Sequence, residues 1–300
     1  MRRRDFFKTS ALGALAAGSA AFSSRFVWAL GADKKILYFD RSTEYVHPPT
    51  ESRPDGTTVC GEALKALGEK EGFAVDCTKD CSVFDADLSQ YGAFVFYTCG
   101  NLDESKEGSP GMTEQGIFNF YNAIRTGTGL VGIHSATDTW KTPGDRLATQ
   151  PYPARRGYTN LIGGQFVTHG SQQETTLTVT EKGFPFLGTK GDAFRYFDEW
   201  YALKNFNPDL HVVLVQETVG MNIDGGNACY NRPAYPSTWI RTEGNGRVAY
   251  TSLGHNNSSF WDETMEGIMS DLLKFTLKRI DVDTTPNLSQ VCPSHETVAG

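Results

Sequence analysis

The sequence predicts an α/β domain on a mainly parallel sheet with helices on both faces, joined in its second half by antiparallel strands. Three observations carry this. Residues 35–39, 93–97 and 129–133 are short, continuous apolar runs, as expected for strands covered on both faces. Stretches of helical apolar spacing separate them. Beyond residue 170 the texture changes to strict alternation, at 175–180 and 237–243, which marks half-buried antiparallel strands.

The elements follow in order. Residues 35–39 form the first strand, followed by a polar loop with Pro48-Pro49 and Pro54-Asp55-Gly56. A helix over 59–70 is predicted by Val59, Ala63, Leu64 and Leu67. A short strand at 73–75 precedes the strand at 93–97. Thr113 reads as the N-cap of a helix carrying Ile117, Phe118, Phe120, Tyr121 and Ile124, which stops at Gly127 before the strand at 129–133. This order requires parallel strands with right-handed crossovers. Ligands of such sheets bind beyond the carboxyl ends of the strands, which puts Asp40, Cys99 and His134 on one rim. The second half adds strands at 198–203, 212–215 and 247–253 and a closing amphipathic helix with Met265, Ile268, Met269, Leu272, Leu273 and Leu277. The domain spans 33–280, and a polar tail, 281–300, follows as a loosely packed strap.

Residues 1–32 have the layout of an export signal. Arg2-Arg3-Arg4 precedes Phe6-Phe7-Lys8, a small-residue apolar run covers 11–22, and small residues stand near Ala29 and Ala32. The Arg-Arg-x-Phe-Phe-Lys pattern resembles the twin-arginine motif, whose machinery carries folded cargo to the periplasm or cell surface. The run is too short for a comfortable membrane span; a membrane-anchor helix is the alternative. The chain carries a net charge of −7, and no basic block follows the signal. Nucleic acid and anionic membrane are therefore poor partners, and no later segment is apolar enough for stable membrane insertion. Six cysteines in an exported chain permit disulfides. Cys77 and Cys81 lack a second pair of zinc spacing, so a local disulfide or free thiols are expected. Oligomeric state is not set by the sequence.

Four motifs occur in order: Gly132 to Trp140, Leu161 to His169, Asp198-Glu199-Trp200-Tyr201, and Gly246 to His255. Together they resemble the ThuA-like (trehalose utilisation) family of the class I glutamine-amidotransferase-like superfamily. The resemblance implies a flavodoxin-like sheet and a small-molecule carbohydrate, including keto-sugars, as partner. Glutaminases of this superfamily place a cysteine in a Gly-x-Cys-x-Gly elbow. Here the elbow reads Gly132-Ile133-His134-Ser135-Ala136, so the chain is not expected to be a glutaminase. Ser135 lacks the second flanking glycine of a serine elbow and reads as a hydroxyl bonding to backbone.

His134, His169 and His255 each close a predicted element beside glycine, and are expected to converge on the rim. Two roles compete. Three imidazoles can hold a divalent metal such as zinc and leave one position open, or act as general acid and base. Separate structural hydrogen bonding of each ring is the bland alternative. Asp138 or Glu199 is the candidate acid/base or orienting carboxylate, with a helix N-cap as the alternative for Asp138. In a strand over 198–203, alternation places Glu199 on one face with Tyr201, and this pair is assigned to the crevice. Asp198 is then solvated or paired with an arginine. Trp140 and Trp261, in loops, are assigned to the rim as sugar-covering rings, whereas Trp239 reads as core. Arg241 is a candidate for a carboxylate or a substrate oxygen, and 151–158 for a lid. The function expected is hydrolytic or eliminative processing of a sugar; a non-catalytic carbohydrate-binding protein is the alternative.

Overall fold

The computed structural model describes residues 35–299; the export signal falls on residues outside them. In chain order the elements are β1 (Lys35–Phe39), α1 (Val59–Glu71), β2 (Val75–Thr78), β3 (Tyr91–Phe96), α2 (Glu114–Thr126), β4 (Gly129–Ile133), α3 (Gly157–Ile162), β5 (Gln165–His169), β6 (Gln173–Val179), β7 (Ala193–Asp198), β8 (Tyr201–Lys204), β9 (His211–Gln216), β10 (Tyr235–Glu243), β11 (Gly246–Thr251), α4 (Glu263–Thr276) and α5 (Leu288–Val291). Nine strands form one sheet in the order β2-β1-β3-β4-β11-β10-β9-β6-β7, and β5 pairs with β8 in a separate ribbon. The first five are parallel. Their order is that of a flavodoxin-like sheet, with its switch point between β1 and β3. From β11 onward every pairing is antiparallel.

The helices bury one face each. Leu64 and Leu67 of α1 join Met265, Ile268 and Leu272 of α4 on one side of the sheet. Phe120 and Ile124 of α2 join Leu161 and Ile162 of α3 on the other. Thr58 and Thr113 cap α1 and α2 by accepting from the amides of Gly61 and Gly116, which satisfies donors a helix start leaves open.

Three local readings need correction. The strand expected at 73–75 begins instead at Val75, opposite Ile36. Gly72, at φ 73°, ends α1, and both Gly72 and Phe73 donate to the Gly68 carbonyl. Phe73 thus closes the helix. The strand expected at 198–203 is two strands: β7 ends at Asp198 in the large sheet and β8 starts at Tyr201 in the ribbon. Glu199 and Trp200 occupy the break, so alternation does not run through them. The tail is a strap but a tightly held one. Asn287 accepts from the Val212 amide at 2.6 Å and donates to its carbonyl at 3.1 Å, and Leu288 and Cys292 are buried.

All six cysteines are free thiols. No helix among the described residues is long and apolar enough to cross a membrane.

Candidate metal centre

Four segments bring side chains to the carboxyl end of the parallel strands. His47 lies in the loop after β1, where Thr50 donates to its carbonyl at 2.9 Å and Pro48-Pro49 stiffen the chain behind it. His134 is the first residue after β4. Glu199 stands in the break between β7 and β8. His255 follows β11 through Gly254, which sits at φ 113°, a conformation that favours glycine.

His134 occupies the elbow with φ 44°, a left-handed conformation that costs about 1–3 kcal/mol for a residue other than glycine. Three contacts hold it there. Its carbonyl accepts from the Tyr250 hydroxyl at 2.7 Å, its ring lies 4.0 Å from that of Tyr201, and its Nδ1 is 2.6 Å from the Ser252 carbonyl. A carbonyl only accepts, so Nδ1 carries the proton and the lone pair of the neutral ring is on Nε2. Metal-binding imidazoles are oriented by this same kind of backbone contact.

Nε2 of His134 and Nδ1 of His255 lie 3.4 Å and 3.0 Å from Oε2 of Glu199. Neither approach has hydrogen-bond alignment: both nitrogens, and Nδ1 of His47, are buried without a hydrogen-bond partner. Ligand atoms from His47, His134, Glu199 and His255 all lie within 4.8 Å of one another. Buried polar atoms left unpaired cost free energy, and a cation facing them would satisfy all of them. Their donor chemistry, imidazole nitrogen with one carboxylate, fits a divalent first-row ion.

His47 and Glu199 are in the forms that this fit requires. Burial, aided by the neighbouring His134 and His255 rings, holds His47 down to about 2, so it stays neutral. Burial pushes Glu199 upward, but His134 and His255 beside it outweigh burial and keep its carboxyl below the usual range. A metal needs neutral imidazoles and an ionised carboxylate.

Asp198 is fully buried and bears no arginine, contrary to the alternation argument. It accepts from the backbone amides of Glu199 at 2.8 Å, Gly254 at 2.8 Å and His255 at 3.1 Å. Burial raises its pKa, and the nearby His134 ring and these amides oppose that. Asp198 thereby clamps the end of β7 to the end of β11. Tyr201 faces the cluster, with its hydroxyl 3.0 Å from Nε2 of His47.

His169 is not one of the four. It ends β5 half-exposed, with Nδ1 3.2 Å from Oε1 of Glu199 and 3.0 Å from the Gly170 carbonyl. The trio expected from the sequence therefore changes: His47 replaces His169 beside His134 and His255. His47 carries no flanking glycine, the mark by which the other histidines stand out. Its signal is position, on the rim after the first strand and before Pro-Pro.

A second cluster adjoins this one. Asp138 ends a 3₁₀ turn over His134–Asp138 and caps no helix. It accepts from the Cys99 thiol at 3.2 Å and pairs with Lys141 at 2.6 Å. Burial pushes Asp138 up, against Lys141. Burial, and then Asp138, push the Cys99 thiol far above its ordinary range, which leaves no thiolate for attack. Cys99→Ser is expected to retain most activity on any substrate found; a loss beyond about a thousandfold in kcat would restore thiol chemistry.

Several rim assignments are corrected. Trp140 is buried against Tyr158, and its indole donates to Asp103 at 2.5 Å. Arg241 is buried and bound to Asp209, Glu243 and the Leu161 carbonyl, so its guanidinium has no hand free for a substrate. Trp261 is exposed, but lines an apolar groove with Leu64, Leu67 and Met265 between α1 and α4. The Ser135 hydroxyl is buried and has no hydrogen-bond partner, so the expected backbone bond is absent. The segment proposed as a lid is pinned by Arg155, which donates to the carbonyls of Gln150, Asn205 and Phe206.

Among solved structures, a ThuA-like protein of Bacteroides uniformis aligns over 88% of this chain and 97% of its own, at 18% identity and a TM-score of 0.60. One from Parabacteroides merdae aligns over 89% and 97%, at 18% identity and 0.56. At such identity the likeness is one of fold. No curated protein matches the sequence. The family model described as ThuA, trehalose utilisation, matches residues 35–276, from the first strand to the end of α4, and the chain belongs to that family.

Proposed function

We propose that this chain is a metal-dependent enzyme that hydrolyses or eliminates at a sugar or keto-sugar, exported by the twin-arginine route. The observation that carries it is the set of three buried imidazole nitrogens and one carboxylate that face one another without hydrogen bonds. His47, His134 and His255 would hold a divalent ion such as zinc, which supplies Lewis acidity toward a sugar oxygen. Three protein nitrogens leave a further position for substrate. Glu199, beside two of the ligands, would take a proton as general base, from the attacking water in a hydrolysis or from a substrate carbon in an elimination. His169, half-exposed with Nδ1 beside the other oxygen of Glu199, would help position that carboxylate. The family description, trehalose utilisation, supports a sugar as substrate.

The test is protein purified from an export-competent host, assayed for metal and then for turnover of disaccharides and their keto derivatives with and without chelator. The expected result is about one ion per chain and turnover that chelation abolishes and metal restores. Metal-free protein that binds sugar without turning it over would establish the binding-protein alternative. For export, replacing Arg2, Arg3 and Arg4 together by lysine is expected to leave the protein in the cytoplasm. Fractionation showing unchanged export would remove the twin-arginine route and leave a general signal.

A further inference from the structure

The segment just before His47 carries two features that the metal centre does not use. Tyr45 is 59% exposed, yet its ring is fixed edge-on to His47 with centroids 4.7 Å apart. Glu44 lies 3.6 Å from Nζ of Lys141, whose other partner is Asp138, in the turn that His134 begins. The segment is anchored rather than loose. Thr43 donates its amide to the Cys99 carbonyl at 2.9 Å. Gly100, at φ 84°, packs so closely on Thr43 and Glu44 that a Cβ has no room.

An exposed aromatic ring, packed by one edge and set beside hydrogen-bonding side chains, is an arrangement that receives a sugar: the ring covers the apolar C–H face and the polar groups meet the hydroxyls. The charges here are already committed. Lys141 is shared between Asp138 and Glu44, and Lys106 donates to the Glu44 carbonyl at 3.2 Å. These four groups, two carboxylates and two ammoniums, offer no net positive charge to attract a carboxylate or phosphate.

We propose that Tyr45, with the Glu44–Lys141 pair, forms a subsite for a neutral pyranose ring next to the metal centre. It rests on the sugar part of the function proposed above and names the class of substrate: an uncharged sugar held by ring stacking, with its reacting end toward His47. Tyr45 binds here and takes no part in proton transfer.

The test uses the chelator-treated full chain, so that its outcome does not depend on the metal, and reads binding of trehalose, methyl glucoside and glucuronate by calorimetry or ligand-observed NMR. At least one neutral probe is expected to bind, and glucuronate to bind no tighter. Tyr45→Ala is expected to weaken the neutral probe about tenfold, the scale of an aromatic platform, while Tyr45→Phe stays within about twofold because the ring remains. Metal content, measured separately on reloaded protein, is expected to be the same in both variants. Tighter binding of glucuronate, no neutral binding into the tens of millimolar, or a Tyr45→Ala variant that binds like the parent would each overturn the subsite. Loss of metal-dependent turnover with these binding results intact would count against the metal centre alone.

Discussion

Glu199→Gln is expected to lower kcat by about a hundred- to ten-thousandfold, the range a positioned general base contributes, while the protein keeps its metal. His134→Ala is expected to abolish activity and metal together. The two variants differ because the two groups hold different positions. Nε2 of His134 is a lone pair aimed into a buried cluster and fixed by the Ser252 carbonyl behind it; removing it deletes a ligand. Glu199 meets His134 and His255 through one oxygen and His169 through the other, as a base held in place from both sides. Metal analysis and steady-state kinetics on both variants, each checked for folding, decide the roles. Metal lost from Glu199→Gln would move Glu199 into the ligand set. Metal retained at full occupancy in His134→Ala would end the centre as drawn. Acidification is expected to release the metal, since protons compete for the same imidazoles.

Asp198→Ala is expected to cost about 3 kcal/mol or more, because three buried amides lose their acceptor and each such orphan costs about 1–3 kcal/mol. Relief of burying the carboxylate offsets part of this. The melting temperature should fall by on the order of 10 °C. Metal retention should fall with it, since two of the orphaned amides belong to Glu199 and His255. Asp198→Asn keeps one acceptor oxygen and should fall between variant and parent. A thermal melt of Asp198→Ala within about two degrees of the parent would show that the clamp carries little.

Much of the parallel half was legible in the sequence because its strands are buried on both faces and leave unbroken apolar runs, and because Thr113 and Gly127 punctuate α2. The break after β7 was not. Asp198-Glu199-Trp200-Tyr201 reads as a strand that puts one carboxylate and one ring on each face, whereas in the structure Trp200 is buried in the break, where its indole donates to the Gln173 carbonyl. Alternation nonetheless paired Glu199 with Tyr201, and both residues do stand at the cluster. Arg241 and Trp140 illustrate a second limit. The partners that withdraw Arg241 from the crevice, Asp209 and the Leu161 carbonyl, are distant in sequence, and a local pattern cannot announce them. His47 shows a third: one histidine in a polar loop has no period or spacing to distinguish it, and only the sheet order places it opposite His134.

The position of β7 has a consequence for how the rim opens. β7 is the last strand of the sheet and pairs only with β6. Along its length only Asp198 is buried, and Phe197 is largely exposed. Amides at such an edge exchange with solvent through small local openings, whereas those of β4 and β11 in the sheet's interior wait for global unfolding. His134 and His255 therefore follow interior strands and Glu199 follows an edge strand, so the amides leading to Glu199 are expected to exchange faster than those leading to the two rings. Peeling β7 from β6 would carry Glu199 away from the rings and withdraw Asp198 from the amides of Gly254 and His255, so the base and the seat of one ring hang on the same edge strand.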